Sequence, residues 1–128
     1  MQMLLDTHAF IWWIGGDARL PVAVRRAIGD ASNRKLVSAA SAWEITTKFR
    51  LGRLPGAATL ASDVVGAIAS QGFDELPVTV DDAARAGLLP GPHRDPFDRM
   101  LIAQALSRDL VLVSIEPIFD GYRVRRLW

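Results

Sequence analysis

The chain alternates short apolar runs with longer stretches in which apolar residues recur at helical spacing. The predicted strands lie at residues 3–5, 35–38, 74–80, 110–113 and 122–127. The predicted helices cover residues 7–13, 21–28, 41–52, 57–70, 81–89 and 96–108. Because strands alternate with helices, the pattern predicts one three-layer α/β domain over residues 1–128 with a mostly parallel sheet.

Two helix starts carry strong local signals. Ser41 and Glu44 form the Ser-x-x-Glu pattern of a capping box, so the third helix is predicted to begin at Ser41. Asp95 precedes Pro96 and is followed by Asp98, which combines an N-cap, a proline at the first position and an acid in the first turn. We therefore expect Glu44 and Asp98 to lie in the first turns of their helices.

Four acidic residues stand where a parallel sheet collects polar groups. Asp6 directly follows the first predicted strand, and Glu116 lies shortly after the apolar run that ends at Val113. Open parallel sheets bind ligands at the carboxyl ends of their strands, so both acids are expected at that edge. The helical turns that carry Glu44 and Asp98 can point toward the same edge. The pattern predicts a cluster of four carboxylates.

Clustered carboxylates repel one another, and a divalent cation relieves that repulsion. A site of oxygen ligands without cysteine or histidine suits a hard ion, Mg²⁺ or Mn²⁺, which can activate water for phosphodiester hydrolysis. Each acid also has a purely structural interpretation. Asp6 would cap a helix, Glu44 would complete the capping box or pair with Lys48, and the other two would be first-turn or solvated loop acids.

The composition narrows the chemistry further. The chain contains no cysteine, which excludes disulfides, thiolate catalysis and cysteine-ligated zinc or iron–sulfur sites. Histidine occurs only at His8 and His93, so a His-rich zinc site is not expected, and both residues are expected to pack or to form hydrogen bonds. The net charge is +1, so a nucleic-acid site would depend on local arrangement rather than on bulk charge.

Location and self-association follow from the apolar pattern. The N-terminal residues reach Asp6 too early for a secretory signal, and no apolar run is long enough to cross a membrane. A cytoplasmic protein without a membrane partner is therefore expected. The apolar composition, with Trp12, Trp13 and Trp128, also predicts exposed apolar surface through which the chain associates with itself.

Several short sequence motifs occur in a distinctive order along the chain. LLDTH at residues 4–8 is followed by SAWEI at residues 41–45, and then by DPFDRMLIAQA at residues 95–105. The set spans essentially the whole chain, and its other members are Lys48, GRL at residues 52–54, LP at residues 89–90, HR at residues 93–94, LVS at residues 112–114, and Phe119 with Tyr122. With these motifs in this order, the chain resembles a PIN-domain ribonuclease of the VapC type, the toxin of a type II toxin–antitoxin system.

The resemblance implies an α/β/α fold with a parallel sheet of about four or five strands, and Mg²⁺- or Mn²⁺-dependent endoribonuclease activity. Carried over by motif, the catalytic and metal-binding acids would be Asp6, Glu44 and Asp98. The fourth acid of the family usually follows a Thr-x or Ser-x step. Here Ser114-Ile115-Glu116 places glutamate where aspartate is usual, so Glu116 would be the fourth acid and would help to place a second ion or orient the attacking water.

The resemblance also implies partners. The substrate would be RNA, held by nearby arginines and cleaved to leave 5′-phosphate and 3′-hydroxyl ends. A small VapB-like antitoxin would block the site, and the toxin would form a homodimer. Thr7 and Ser114 would support the acids. The arginines nearest to the site in sequence are Arg50, Arg94 and Arg99.

Two other functions fit part of the pattern. A phospho-receiver domain also gathers acids and Mg²⁺ at strand ends, but it needs a lysine after its last strand, and the only lysines are Lys35 and Lys48. A non-enzymatic binding module would be marked by Glu116 as a decayed position, against which the three other acids argue. Metal-dependent RNA cleavage separates the nuclease from both. No G-x-G-x-x-G or P-loop follows a strand, which argues against a dinucleotide-binding fold.

Overall fold

Five parallel strands form one sheet at the centre of the computed structural model, which describes residues 1–128. The strands are β1 (Gln2–Leu5), β2 (Arg34–Ser38), β3 (Asp74–Leu76), β4 (Val111–Val113) and β5 (Arg126–Leu127). Their spatial order is β3-β2-β1-β4-β5, so β1 is the central strand. The chain builds one side of the sheet from β1 outward and then crosses to the other side. The carboxyl end of β1 is therefore the topological switch point, where open sheets bind ligands.

Seven α-helices and one 3-10 helix surround the sheet. The α-helices are α1 (Thr7–Gly15), α2 (Val22–Gly29), α3 (Ala39–Arg50), α4 (Ala58–Ser62), α5 (Val64–Ser70), α6 (Val80–Leu88) and α7 (Pro96–Arg108). The 3-10 helix is Pro117–Tyr122. None of the helices combines the length and apolarity that a membrane span requires.

The sheet is buried on both faces. Met3 and Leu5 of β1 belong to one apolar cluster, whereas Leu4 between them belongs to a second cluster, because successive side chains of a strand point to opposite faces. Helix α1 contributes Phe10 to the first cluster, and α7 contributes Leu101 to the second. This double burial explains why the strands are continuous apolar runs, and it confirms the predicted three-layer α/β/α fold.

The capping box predicted at Ser41 is wrong. Helix α3 begins at Ala39, directly after β2, and the Ser38 hydroxyl caps it by accepting from the Ala40 N–H at 3.1 Å. The Ser41 hydroxyl instead lies 3.0 Å from the hydroxyl of Thr7, on a different helix. Glu44 consequently lies in the second turn of α3 and not, as predicted, in the first.

The helix predicted over residues 57–70 is two short helices. The helix is interrupted at Asp63, whose backbone is non-helical at φ −155° and ψ 72°. The Asp63 carboxylate accepts from the Gly66 N–H at 2.9 Å and so caps α5. An apolar helical spacing on both sides of Asp63 hides this break in the sequence pattern.

Two predicted extended segments form strands over only part of their length, and the first of them is a short edge strand, as its Pro77 indicates. The extended segment predicted over residues 74–80 forms a strand only as far as Leu76, because Pro77 has no N–H to continue the ladder and Thr79 already caps α6. The strand predicted over residues 122–127 is reduced to β5, since the 3-10 helix occupies the chain up to Tyr122.

Of the tryptophans named in the prediction of exposed apolar surface, Trp12 is covered by the core, whereas Trp13 and Trp128 are covered only in part. Trp12 is buried, its ring centroid lies 5.7 Å from that of Trp128, and both pack on the first apolar cluster, as does Trp13. Trp43 is instead 63% exposed and packs edge-on against Phe97, with ring centroids 5.0 Å apart. Other exposed apolar side chains are Val22, Val65, Val80 and Leu88.

Candidate active site

The carboxyl ends of the central strand β1 and its neighbour β4 lie side by side. Leu5 of β1 pairs with Val113 of β4, and the Asp6 N–H donates to the Val113 carbonyl at 3.0 Å. The next residues along each strand, Asp6 and Ser114, are both buried, and the Ser114 hydroxyl is a hydrogen-bond partner of the Asp6 carboxylate. The sheet register therefore fixes the first acid of the candidate site next to a hydroxyl.

Asp6 combines a structural role with an unusual electrostatic one. Its Oδ1 accepts from the Ala9 N–H at 2.7 Å, so the side chain caps α1. The residue is 5% exposed, and this burial raises its pKa from 3.8 to about 6, against the lowering effect of hydrogen bonds from Ser114 and Ala9. The negative charge of Asp98 raises the pKa further. The fold thus keeps a carboxyl where its charged form lacks stabilisation.

Glu44 reaches the same place from α3. It is 4% exposed, and its Oε1 accepts from the Thr7 hydroxyl at 2.5 Å. Its Oε2 accepts from the ammonium group of Lys48, one helical turn further on, as one structural interpretation of the sequence predicted. Thr7 follows Asp6 in the chain, so its hydroxyl links the acid on α3 to the end of β1.

Asp98 lies in the first turn of α7, as predicted. Its N–H donates to Oδ1 of the helix cap, Asp95, at 2.9 Å, and its Oδ2 lies 2.7 Å from Nε2 of His93. Burial raises the pKa of Asp98, His93 lowers it, and the negative charges of Asp95 and Glu44 raise it again. Asp98 is therefore electrostatically coupled to the acid on α3 as well as to Asp6.

Glu116 differs from the other three acids because its side chain is exposed. Its N–H donates to the Ser114 hydroxyl at 3.0 Å, which ties the loop after β4 to the same hydroxyl that accompanies Asp6. Its carboxylate forms no cap on the 3-10 helix that follows. The geometry leaves this carboxylate free at the solvent side of the site.

One open cavity of about 360 Å³ collects these groups at the switch point. Only one of its ten lining residues is hydrophobic. All four predicted acids, Asp6, Glu44, Asp98 and Glu116, line the cavity, and so do Asp95, Lys48 and His93. The acids come from four separate parts of the chain, so their meeting is a product of the fold and not of sequence proximity.

The donor atoms of this cavity suit Mg²⁺ or Mn²⁺, because they are carboxylate oxygens and two of the carboxyls have raised pKa values that a cation would lower. The carboxylates are not gathered into a ready-made coordination sphere, since no group of three or more His, Asp or Glu side chains is arranged to hold an ion. Lys48 and His93 engage Glu44 and Asp98 instead. The residues fit such an ion in chemistry, with side-chain rearrangement.

Arg99 does not line the cavity, and its guanidinium binds the backbone next to it. Its Nε, Nη1 and Nη2 donate to the backbone carbonyls of Ala86, His93 and Leu89 at 3.0, 2.9 and 2.5 Å. The guanidinium therefore fixes the loop that carries His93. Arg50 and Arg94, the other two arginines predicted to hold RNA, are exposed.

Replacing Arg99 by lysine is expected to lower the free energy of unfolding by about 2 kcal/mol, because an ammonium group cannot reach three carbonyls arranged around a planar fork. Chemical denaturation measures this loss. The exposed Arg94 is a matched control for the same change of side chain, and Arg94→Lys should leave stability unchanged. Equal stability of the two variants would show that the three hydrogen bonds contribute nothing.

The loop before α7 carries part of the family resemblance, at residues 89–90 and 93–94, but no site role was predicted for His93. The His93 N–H donates to the Tyr122 hydroxyl at 3.1 Å, a second contact that fixes the loop in addition to those of Arg99. Gly91 has a φ of 100°, and a Cβ there would lie 2.7 Å from the Tyr122 hydroxyl. His93 was expected to form hydrogen bonds, but its partner, Asp98, is visible only in three dimensions.

A comparison with family models decides the family. The PIN domain model matches residues 3–123. The chain belongs to the PIN domain family. PIN domains are generally nucleases, so the match agrees with the resemblance carried by the sequence motifs. A comparison of the sequence with curated proteins gives no match.

Solved structures share the fold of this PIN domain along its full length. VapBC2 from Rickettsia felis, bound to a DNA fragment from their promoter, has a TM-score of 0.67 and 12% identity, with 99% of this chain and 98% of that chain covered. VapBC-1 from nontypeable Haemophilus influenzae gives 0.68 and 15%, covering 99% and 97%. FitAB bound to an IR36 DNA fragment gives 0.68 and 18%, covering 99% and 94%. At these identities the likeness concerns the fold.

Proposed function

We propose that this PIN domain is a Mg²⁺- or Mn²⁺-dependent endoribonuclease that acts as the toxin of a toxin–antitoxin pair. The observation that carries the proposal is the single cavity in which four acids from distant parts of the chain meet at the switch point of the sheet. Two of these carboxyls have raised pKa values, which is typical of groups arranged for chemistry rather than for stability.

Asp6, Glu44 and Asp98 would hold the ion, directly or through water. When bound, the ion supplies activation of water and neutralisation of charge on the scissile phosphate. Glu116, exposed at the mouth of the cavity, would help to place a second ion or would orient the attacking water. Thr7 and Ser114 hold two of the acids by hydrogen bonds, and no side chain acts as a covalent nucleophile.

The substrate is RNA in single-stranded or loop form, because a shallow acidic edge cannot read the deep groove of a closed duplex. Exposed Arg50 and Arg94 supply positive charge near the ends of α3 and of the loop before α7. Arg99 is not part of this contact, because its guanidinium is engaged by the backbone.

The partner is a small antitoxin that covers the cavity, in line with the VapBC and FitAB structures that share the fold. A groove of about 690 Å³ runs between α1 and the α4–α5 segment, and His8 lines both this groove and the acidic cavity. An antitoxin segment lying in the groove would therefore lead directly to the acids. We also propose that the toxin forms a homodimer.

The function is tested by inducing the chain in a bacterial host and by assaying the purified protein on RNA in Mn²⁺ and in EDTA. We expect growth arrest on induction and cleavage in Mn²⁺ that leaves 5′-phosphate and 3′-hydroxyl ends. Chelation should stop cleavage completely. Cleavage that persists in EDTA, once contaminating nucleases are excluded with an identically purified Asp98→Asn preparation, would rule out the metal mechanism.

A further inference from the structure

Lys48 is a cation placed inside the acidic cavity. Its side chain is only 25% exposed, and its ammonium group contacts Oε2 of Glu44, whose side chain is 5% exposed. The chain contains one other lysine, Lys35, against thirteen arginines, so a lysine at this point is unusual for the composition. The candidate reaction described above uses neither the ammonium group nor its charge.

We propose that Lys48 is an internal counter-ion that competes with the divalent cation for Glu44 and thereby sets the metal concentration at which the site fills. The inference rests on the proposed function, because it concerns the metal that the four acids would bind. Lys48 is a positioning residue in this scheme, since it acts on the site through the carboxylate of Glu44.

The two carboxylate oxygens of Glu44 have different partners. Oε1 accepts from the Thr7 hydroxyl at 2.5 Å, which anchors the carboxylate to the start of α1. Oε2 is engaged only by Lys48. A divalent cation that approaches Oε2 must displace the ammonium group, and the two positive charges repel each other even when both remain in the cavity.

Lysine is suited to a contact that has to be released. A buried carboxylate needs a charged partner, and a single ammonium group supplies one without the bidentate geometry that arginine would impose. Its four-carbon stem is flexible, so the ammonium group can withdraw while the α3 backbone stays in place. Glu44 is therefore held in the cavity before metal arrives and remains anchored by Thr7 afterwards.

The direct test is a Mn²⁺ titration of purified Lys48→Gln by calorimetry and by the electron paramagnetic resonance signal of free Mn²⁺. Removal of the competing cation should tighten Mn²⁺ binding by about tenfold. Lys35→Gln carries the same change of charge on β2, where Lys35 donates to the Asp30 carbonyl, and should bind Mn²⁺ like the wild type. Metal-free Lys48→Gln should melt at a lower temperature and gain more from Mn²⁺ than the wild type does.

A second measurement uses the unaltered protein, in case Lys48→Gln folds poorly. With two lysines, ¹⁵N-lysine labelling gives a spectrum of two ammonium signals. Titration with diamagnetic Mg²⁺ should shift the Lys48 signal toward that of a free ammonium group and leave the Lys35 signal in place. A Lys48 signal that does not respond at Mg²⁺ concentrations that stabilise the protein would overturn the inference.

The sign of the Mn²⁺ result separates the possibilities. If Lys48→Gln binds Mn²⁺ with unchanged or weaker affinity than the wild type, Lys48 only holds Glu44 in position and does not compete. If neither the wild type nor Lys48→Gln binds Mn²⁺ by calorimetry or by electron paramagnetic resonance, the metal site itself is refuted, and the proposed function fails together with the competition. The inference is supported only if Lys48→Gln binds Mn²⁺ more tightly than the wild type does.

Discussion

Replacing Asp6 or Asp98 by asparagine is expected to slow RNA cleavage by on the order of a hundredfold or more while the protein stays folded. Asparagine caps a helix about as well as aspartate, so the bond from the Ala9 N–H to residue 6 is retained. The negative charge that the proposed ion needs is lost. The measurement is the cleavage rate against Mn²⁺ concentration, with a thermal melt of each variant.

The difference in stability between Asp6→Asn and the wild type should also depend on pH. Because burial raises the folded-state pKa of Asp6 from 3.8 to about 6, its contribution to stability is complete below about pH 4 and is lost as the pH rises through about 6. Asparagine does not titrate. Metal-free Asp6→Asn should therefore be more stable than the wild type at neutral pH, by up to about 3 kcal/mol.

Asp63→Asn is the matched control, because Asp63 also caps a helix with its carboxylate but is exposed and lies outside the acidic cavity. This variant should retain both wild-type activity and wild-type stability. If Asp6→Asn and Asp98→Asn cleave RNA at the wild-type rate, the two acids are structural and the assignment of the site is wrong.

The other two acids should respond in different degrees. Glu44→Gln removes a buried carboxylate that is coupled to Asp98 and should be as inactive as Asp98→Asn. Glu116 is exposed, and we expect it to act through water. Glu116→Asp should therefore keep much of the activity, and Glu116→Gln should lose less than Asp98→Asn.

Replacing Arg108 by methionine is expected to lower the free energy of unfolding by about 3 kcal/mol. Asp82 is 2% exposed, and its carboxylate accepts from Nη1 and Nη2 of Arg108 at 2.9 and 3.0 Å. Although burial alone would raise the pKa of Asp82, the hydrogen bonds from Arg108, Thr79 and Gln104 hold it at about 2. Removing Arg108 leaves a buried negative charge that Thr79 and Gln104 alone must accommodate.

The stability that Arg108→Met loses should depend on pH. A carboxyl whose pKa is lowered on folding contributes stability above its unfolded pKa of about 4, and this contribution disappears as the pH falls through about 2. The Arg108→Met loss should thus be full at neutral pH and smaller in acid. Arg85→Met is the control, because Arg85 pairs with Asp81 at the surface and should cost less than about 0.5 kcal/mol. Equal losses in the two variants would contradict the argument.

Features fixed by neighbouring residues could be predicted from the sequence, whereas features fixed by tertiary contacts could not. The cap of α7 was predicted because Asp95, Pro96 and Asp98 act on one another within a single helical turn. The capping box at Ser41 failed because its hydroxyl finds Thr7 on another helix. Asp6 and Glu116 could be placed at one edge because they follow strand ends of a parallel sheet. Glu44 and Asp98 lie on helices and were named through helix starts and motif.

The central position of β1 in the sheet bears on how the protein is made. β1 leaves the ribosome long before β4, which is one of its two neighbours in the sheet, and long before Asp98 and Glu116. Parallel pairing between such distant segments is slow, because the intervening chain has to be ordered first. A nascent chain that has not yet reached Asp98, β4 and Glu116 therefore lacks the acidic cavity, and with it the proposed catalytic site.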